Sequence, residues 1–240
     1  MNQASQIPLP SHWPILNGLK DILGQPLPAG TIYCIGRNFA DHAKEMNAAI
    51  PSEPMVFIKP MGTLSIGDGS LRLPAESQDV HHEVEWVLAI GKGGKHISLE
   101  QAWDHVAGWA VGIDFTARDL QAKAKQAGKP WTLAKGFDGF APLSPFSAKP
   151  PALSVEDMAD YRLQFQVNGG TRQSEKLSQM LFSASELIQY LSSVFTLQPG
   201  DLIFTGTPSG VSQMVSGDRC LAELKDPEGS TTHRLEIVIE

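Results

Sequence analysis

The segment HEVEWVLAI, residues 82–90, constrains the fold more than any other stretch of this chain. Strand side chains alternate between two faces, so Glu83, Glu85, Val87 and Ala89 share one, and Val84, Trp86, Leu88 and Ile90 the other. The second face is apolar throughout and belongs against a core. The first runs from two carboxylates into small apolar residues. Side chains two apart on one face lie roughly 7 Å apart at Cα, so the glutamates repel unless a cation or a proton lies between them. Taken alone, the pair reads first as the water-facing edge of a half-exposed strand.

Asp114 shifts that reading. It closes HVAGWAVGID (105–114), an apolar run expected as a buried strand. A buried carboxylate is costly without a cation or a raised pKa. Three carboxylates without a His or Cys set describe a hard oxygen site for Mg²⁺ or Mn²⁺, one ion per site, with waters or substrate completing the octahedron. His81 and His82 flank the pair but point to opposite faces of a strand; both are expected at the surface or behind the ligands. Arg118 and Gln121 follow in FTARDLQ. On a helix opening near Thr116 they share a face close to Asp114. A guanidinium there suits a substrate carboxylate, gripped by two hydrogen bonds; an outward Arg on an amphipathic helix is the competing reading.

The remaining patterns are mostly β. TIYCI (31–35), MVFIK (55–59), YRLQFQV (161–167), CLAEL (220–224) and HRLEIVIE (233–240) read as strands, with Asn168-Gly169 as a hairpin signal. SASELIQYLSSVF (183–195) is the one long helix of the second half. Asn38 is expected to cap a short helix, NFADHAKEM. Ser98 with Gln101, and Thr116 with Asp119, are expected capping boxes. Pro51 and Pro54 end the helical reading after residue 46. Gly91, Gly93 and Gly94 follow a strand, but their spacing does not make a dinucleotide fingerprint. The expected class is α+β, mostly β, without regular βαβ alternation.

The chain has 240 residues, 42% hydrophobic and 19% charged, enough for one large domain. Residues 1–30 read as an extension packed on a single domain spanning 31–240. The net charge of −7 argues against nucleic acid, whose binding relies on clustered Lys and Arg. Cys34 and Cys220 form no metal or disulfide motif and read as buried free thiols. With no signal-like N-terminus and no run near ~20 apolar residues, no membrane contact is expected, and the setting is expected to be cytoplasmic.

Six segments in order resemble the fumarylacetoacetate hydrolase family: IGRNFADHAKEM (35–46), EPMVFIKP (53–60), HHEVEWVLAIGK (81–92), GIDFTARDLQ (112–121), PWTLAKGFD (130–138) and GDLIFTGTPSGV (200–211). The chain is most similar to the short, single-domain acylpyruvate hydrolase and oxaloacetate decarboxylase branch. That resemblance implies a mixed β-roll or β-sandwich core with a few peripheral helices, usually as a homodimer, with Mg²⁺ or Mn²⁺ on Glu83, Glu85 and Asp114. It also implies an active-site Lys135, a substrate-binding Thr207, and a His42–Glu45 pair on a lid of about residues 38–54. Arg118 and Gln121 match substrate-contacting positions of that branch.

The implied substrate is a small 2-oxo or 2,4-dioxo acid. Hydrolysis of a C–C bond in an acylpyruvate or fumarylpyruvate ranks first, with His42, oriented by Glu45, activating water. Decarboxylation or keto–enol tautomerisation of oxaloacetate shares the same enolate and ranks second. A non-catalytic module binding a metal or a carboxylate is a more remote alternative. Lid residues Met46, Ala48 and Ile50 are expected to line the acyl pocket. Lys135 is expected to be partly buried.

Overall fold

The strand Val84–Ile90 pairs on both edges, antiparallel to Val106–Ile113 on one side and to Leu202–Phe204 on the other. Every residue of it is buried, which removes the half-exposed reading. Its two faces feed two different cores. Val84, Trp86, Leu88 and Ile90 enter the larger one; Val87 and Ala89 enter a smaller one. The alternation therefore reads as predicted, with apolar packing on both sides.

The computed structural model describes residues 14–20, 24–45 and 49–240. Among them, seventeen strands stand against five α-helices, so the protein is mostly β. An eight-stranded mixed sheet runs Met55–Lys59, Ile32–Gly36, Leu202–Phe204, Val84–Ile90, Val106–Ile113, Ala141–Leu143, Leu64–Ile66, with Ser147–Ala148 also paired to Val106–Ile113. A five-stranded sheet runs Gly170–Lys176, Arg162–Val167, Arg219–Lys225, Thr231–Ile239, Gly69–Leu71. The larger core lies between them, joining Trp86 and Val111 of the first sheet to Phe165, Leu224 and Leu235 of the second. The smaller core fills the other side of the eight-stranded sheet. The hairpin Ile15–Lys20/Pro26–Pro28 covers it with Leu16, Leu19 and Leu27.

Local signals meet mixed outcomes. Asn168 and Gly169 both take positive φ, 51° and 79°, the backbone of a tight two-residue hairpin. Ser183 and Glu186 cap the helix Ala184–Val194 reciprocally. The other expected caps do not form. Asn38 lies outside the helix Ala40–Glu45; its side chain bonds to Phe182 O at 3.0 Å, Thr205 O at 2.7 Å and Phe182 N at 2.8 Å. Long-range backbone groups win its amide over the local helix end. Ser98 precedes Leu99–Ala102 without a side-chain cap. Thr116 sits in a two-residue strand and donates to Asp114 O, so the next helix starts at Arg118. Asp119 accepts from Ser77 and Leu120 instead. Cys34 and Cys220 are buried and unbonded. No helix among the described residues is long and apolar enough to cross a membrane.

Candidate active site

Register assembles the carboxylates. Val84 pairs with Ile113, and Asp114 N donates to Glu83 O at 2.8 Å. The ladder thus sets Asp114 opposite Glu83, with Glu85 two residues further along the same face. Directly opposed residues approach within side-chain contact. Glu83, Glu85 and Asp114 bring one oxygen each within 4.8 Å of one another, and all three are buried.

Each carboxylate is compensated differently. Glu83 accepts from Arg118 at 2.5 Å and from Lys135 at 2.9 Å. Burial pushes its pKa up, but Lys135 and Arg118 outweigh burial and hold it far below the usual carboxylate range. Among the described residues Glu85 accepts only the Gly206 N–H, at 2.6 Å. Burial, then repulsion from Asp114 and Glu83, pushes it well above that range. Asp114 accepts from Lys135 at 2.5 Å through Oδ2. Its Oδ1 lies 2.7 Å from Lys59 Nζ as an ion pair. Lys59 directs hydrogen bonds to the carbonyls of Phe115, Lys135 and Phe140, and an ammonium has three protons. Asp114 Oδ1 is therefore buried with the Lys59 ammonium, shared with those three carbonyls, as its one close partner among the described residues.

Glu85, buried beside two other carboxylates and accepting among the described residues only from a backbone N–H, is where a further cation would be stabilised. The oxygen-only donor set fits a hard divalent ion such as Mg²⁺ or Mn²⁺. Cys34 lies nearby, but burial and then Asp114 push its thiol well up, so it offers no thiolate. Lys135 is fully buried, more than expected. Burial alone would lower its pKa, but Asp114 and Glu83 outweigh that and raise it. Lys59 was not singled out by its sequence. The signal was present: a lysine ending the apolar strand MVFIK and 1% exposed in the fold.

The other expected residues converge on the same place. His42, Arg118, Gln121, Lys135 and Thr207 line a small cavity with Glu83 and Glu85; Asp114 lies behind them. Arg118 Nη1 donates to Gln121 Oε1 at 2.8 Å, so the two share a helix face as predicted, and Arg118 Nε is buried without a partner. His42 Nδ1 lies 3.3 Å from Glu45 Oε2, and the Glu45 carboxylate accepts from Gly210 N at 3.1 Å. That contact joins the helix Ala40–Glu45 to the loop after strand Leu202–Phe204. Ile50 is exposed; Met46 and Ala48 lie outside the described residues.

Hydrogen-bond direction around Thr207 follows from one amide. Gln173 Oε1 accepts from Val84 N at 3.1 Å, which fixes its oxygen; its Nε2 donates to Pro208 O and Thr207 Oγ1, both at 2.7 Å. Thr207 Oγ1 is thus an acceptor within the protein, and its own O–H is left to donate. His82 Nδ1 lies 2.9 Å from the same Gln173 Oε1, and its Nε2 lies 2.9 Å from Ser212 Oγ. It is fully buried against Phe165, behind the ligands and not at the surface, the second of the two positions expected for it. Burial lowers its pKa to about 4. His81 is half-buried and bonds Asp79. Gln173 ties the strand residue between the two glutamates to the threonine loop, a role nothing in its local sequence signals.

The cavity measures about 30 Å³, room for a water and not for a four-carbon acid. A larger one, about 760 Å³, lies by Trp86, Trp103 and Met158 with Glu100, Asp104 and Glu186 among its lining; none of the three carboxylates borders it.

Residues 31–236 match the family described as fumarylacetoacetate (FAA) hydrolase C-terminal. Oxaloacetate decarboxylase, mitochondrial, of Dictyostelium discoideum is 45% identical over 187 residues, 78% of this chain and 84% of that protein. Oxaloacetate tautomerase, mitochondrial, of Arabidopsis thaliana is 44% identical over 191 residues, 80% and 84% of the two chains. The crystal structure of fumarylpyruvate hydrolase from Pseudomonas aeruginosa, in complex with Mn²⁺ and pyruvate, superposes with a TM-score of 0.81 at 39% identity, covering 95% of this chain and 98% of that one. The chain belongs to the fumarylacetoacetate hydrolase family.

Proposed function

We propose that this protein is a Mg²⁺- or Mn²⁺-dependent enzyme that cleaves the C–C bond of a 2,4-dioxo acid to release pyruvate. The observation that carries it is the buried convergence of Glu83, Glu85 and Asp114, one oxygen of each within 4.8 Å of the others, with Arg118, Lys135 and the His42–Glu45 pair grouped around them. A metal-binding module would need only the carboxylates. A divalent ion held by Glu83, Glu85 and Asp114 supplies Lewis-acid charge for the 2-oxo group. Arg118 and Lys135 hold the adjacent carboxylate and oppose the negative charge that grows on the 2-oxo oxygen. Thr207 donates its free O–H to the same end.

His42 takes a proton from water, with Glu45 fixing its ring. The hydroxide adds to the distal carbonyl and the C–C bond breaks. Its electron pair passes to the pyruvate carbon, which takes up a proton, and the acyl group leaves as a carboxylic acid. The 30 Å³ cavity, with His42 and Thr207 in its wall, must widen before a dioxo acid enters.

Oxaloacetate decarboxylation or tautomerisation is the second reading. It is favoured by the relatives of those names, at 45% and 44% identity against 39% for the fumarylpyruvate hydrolase. It uses the same charge around the 2-oxo oxygen but no attacking water. Coupled assay of pyruvate release separates the two. With Mn²⁺ the protein should cleave acetylpyruvate or fumarylpyruvate, and EDTA should abolish this. His42→Ala should lower hydrolysis about 10²-fold or more. Turnover of oxaloacetate with no cleavage of either dioxo acid would overturn the hydrolase reading in favour of the second. We further propose a homodimer, following the family resemblance, and a cytoplasmic setting, following the sequence patterning; a monomeric mass by light scattering would contradict the dimer.

A further inference from the structure

The cavity wall carries Arg37 and Lys125 as well as Arg118 and Lys135. Arg118 and Lys135 are both paired with Glu83. Arg37 and Lys125 pair with no carboxylate among the described residues. Lys125 has only the face of Trp131, 5.1 Å from its amine. A methyl group at Gly36 would stand 3.7 Å from that same ring, so the backbone entering Arg37 and the Lys125 amine share one neighbour at the rim.

Arg37 adopts φ of 59°. The left-handed conformation is unfavourable for a residue with a Cβ, and outliers of this kind persist where the surroundings impose them, often at binding sites. The imposing element is adjacent. Asn38 is held by three long-range hydrogen bonds, which fix the chain immediately after Arg37. Lys125 is crowded by like charge: its pKa is lowered by burial, then by Arg118 and Arg37. With a divalent ion on the carboxylates, one substrate carboxylate satisfies Arg118 and Lys135 but leaves the rim cations unanswered.

We propose that Arg37 and Lys125 form a second anion subsite that reads the distal carboxylate of the substrate, so that the enzyme selects dianionic 2-oxo acids over those ending in a neutral acyl group. This rests on the proposed function for the carboxylate end of the site. It adds residues that distinguish substrates sharing the same reacting end.

The test compares fumarylpyruvate with its distal monomethyl ester, which changes only the far charge, using the wild type and an Arg37→Gln/Lys125→Gln variant with Mn²⁺. The wild type should favour the diacid in kcat/KM at least about tenfold, the effect of a charge-assisted hydrogen bond. The variant should lose that preference, chiefly through KM for the diacid. A wild type indifferent to the ester, or a variant that keeps the preference, would overturn the subsite. If the wild type turns over neither compound, the proposed reaction fails and calorimetry with Mn²⁺ decides the subsite. 2-Oxoglutarate should then bind the variant at least about tenfold more weakly, while oxalate, whose two carboxylates are adjacent and leave none for the rim cations, loses less. Equal losses for both ligands, or none for 2-oxoglutarate, would overturn it. Circular dichroism melts of the variant confirm that the comparison is made on folded protein.

Discussion

The two sheets obey different rules. The five-stranded sheet behaves as sequence patterning predicts: Thr231–Ile239 alternates exposed and buried residues almost without fault, and Arg162–Val167 alternates half-exposed with buried. Its side chains fill one core and leave most of their charges outside; Glu223 is buried, paired with Thr231 and Lys225. The eight-stranded sheet breaks that rule at one end. Lys59, Glu83, Glu85 and Asp114, which lie on or just beyond its strands, and Lys135 are all at most 5% exposed. Charge is buried there because two lysines and an arginine match the three carboxylates in number, but they do so unevenly. Among the described residues Glu85 has no cation as a partner, only the Gly206 N–H. Chains keep such violations of their own pattern at functional sites.

The contrast sharpens into measurements. Lys59→Met should have the largest effect on stability. Removing one partner of a buried ion pair typically costs about 3–5 kcal/mol, and here it also strips three carbonyls of their donor. Urea denaturation should show that loss without divalent ions and partial recovery with saturating Mn²⁺, which replaces the missing charge. Recovery absent under Mn²⁺ would show that Lys59 is purely structural.

Leu235→Ala, in the five-stranded sheet, should cost about 2–5 kcal/mol by leaving a cavity. Specific activity of the folded variant should be unchanged. A loss of activity beyond the unfolded fraction would mean that the two sheets are not separable.

The smallest effect concerns pH. His233 is buried in the five-stranded sheet and its Nε2 has no partner. Burial depresses its pKa to about 4 from 6.5. The unfolded chain then binds more protons between those values, so stability present above pH 6.5 is lost as pH falls toward 4. The shift corresponds to about 3 kcal/mol at most. His233→Gln should flatten the dependence of unfolding free energy on pH across that window; an unchanged slope would assign the acid sensitivity elsewhere, for example to buried His82.

Legibility followed the same division. Period-2 patterning located the strands and both faces of Val84–Ile90, because local side-chain alternation is all that such a strand requires. Glu83, Glu85 and Asp114 were visible as carboxylates in apolar runs. Their convergence depends on the Val84–Ile113 register, which no single segment encodes. Asn38 and Thr116 misled as caps because distant backbone groups, or a short strand, took their side chains. Lys59 and Gln173 lay in plain view, yet their roles are created by elements 50 to 90 residues away. Arg37 carried no local signal, since its left-handed backbone is set by the anchoring of Asn38.

The most direct test of the buried carboxylate cluster as a metal site is calorimetric titration of metal-free protein with Mn²⁺. One ion per chain should bind the wild type, and that binding should be lost in both Glu85→Gln and Asp114→Asn while each variant stays folded. A wild type that binds no ion, or variants that bind as the wild type does, would contradict it.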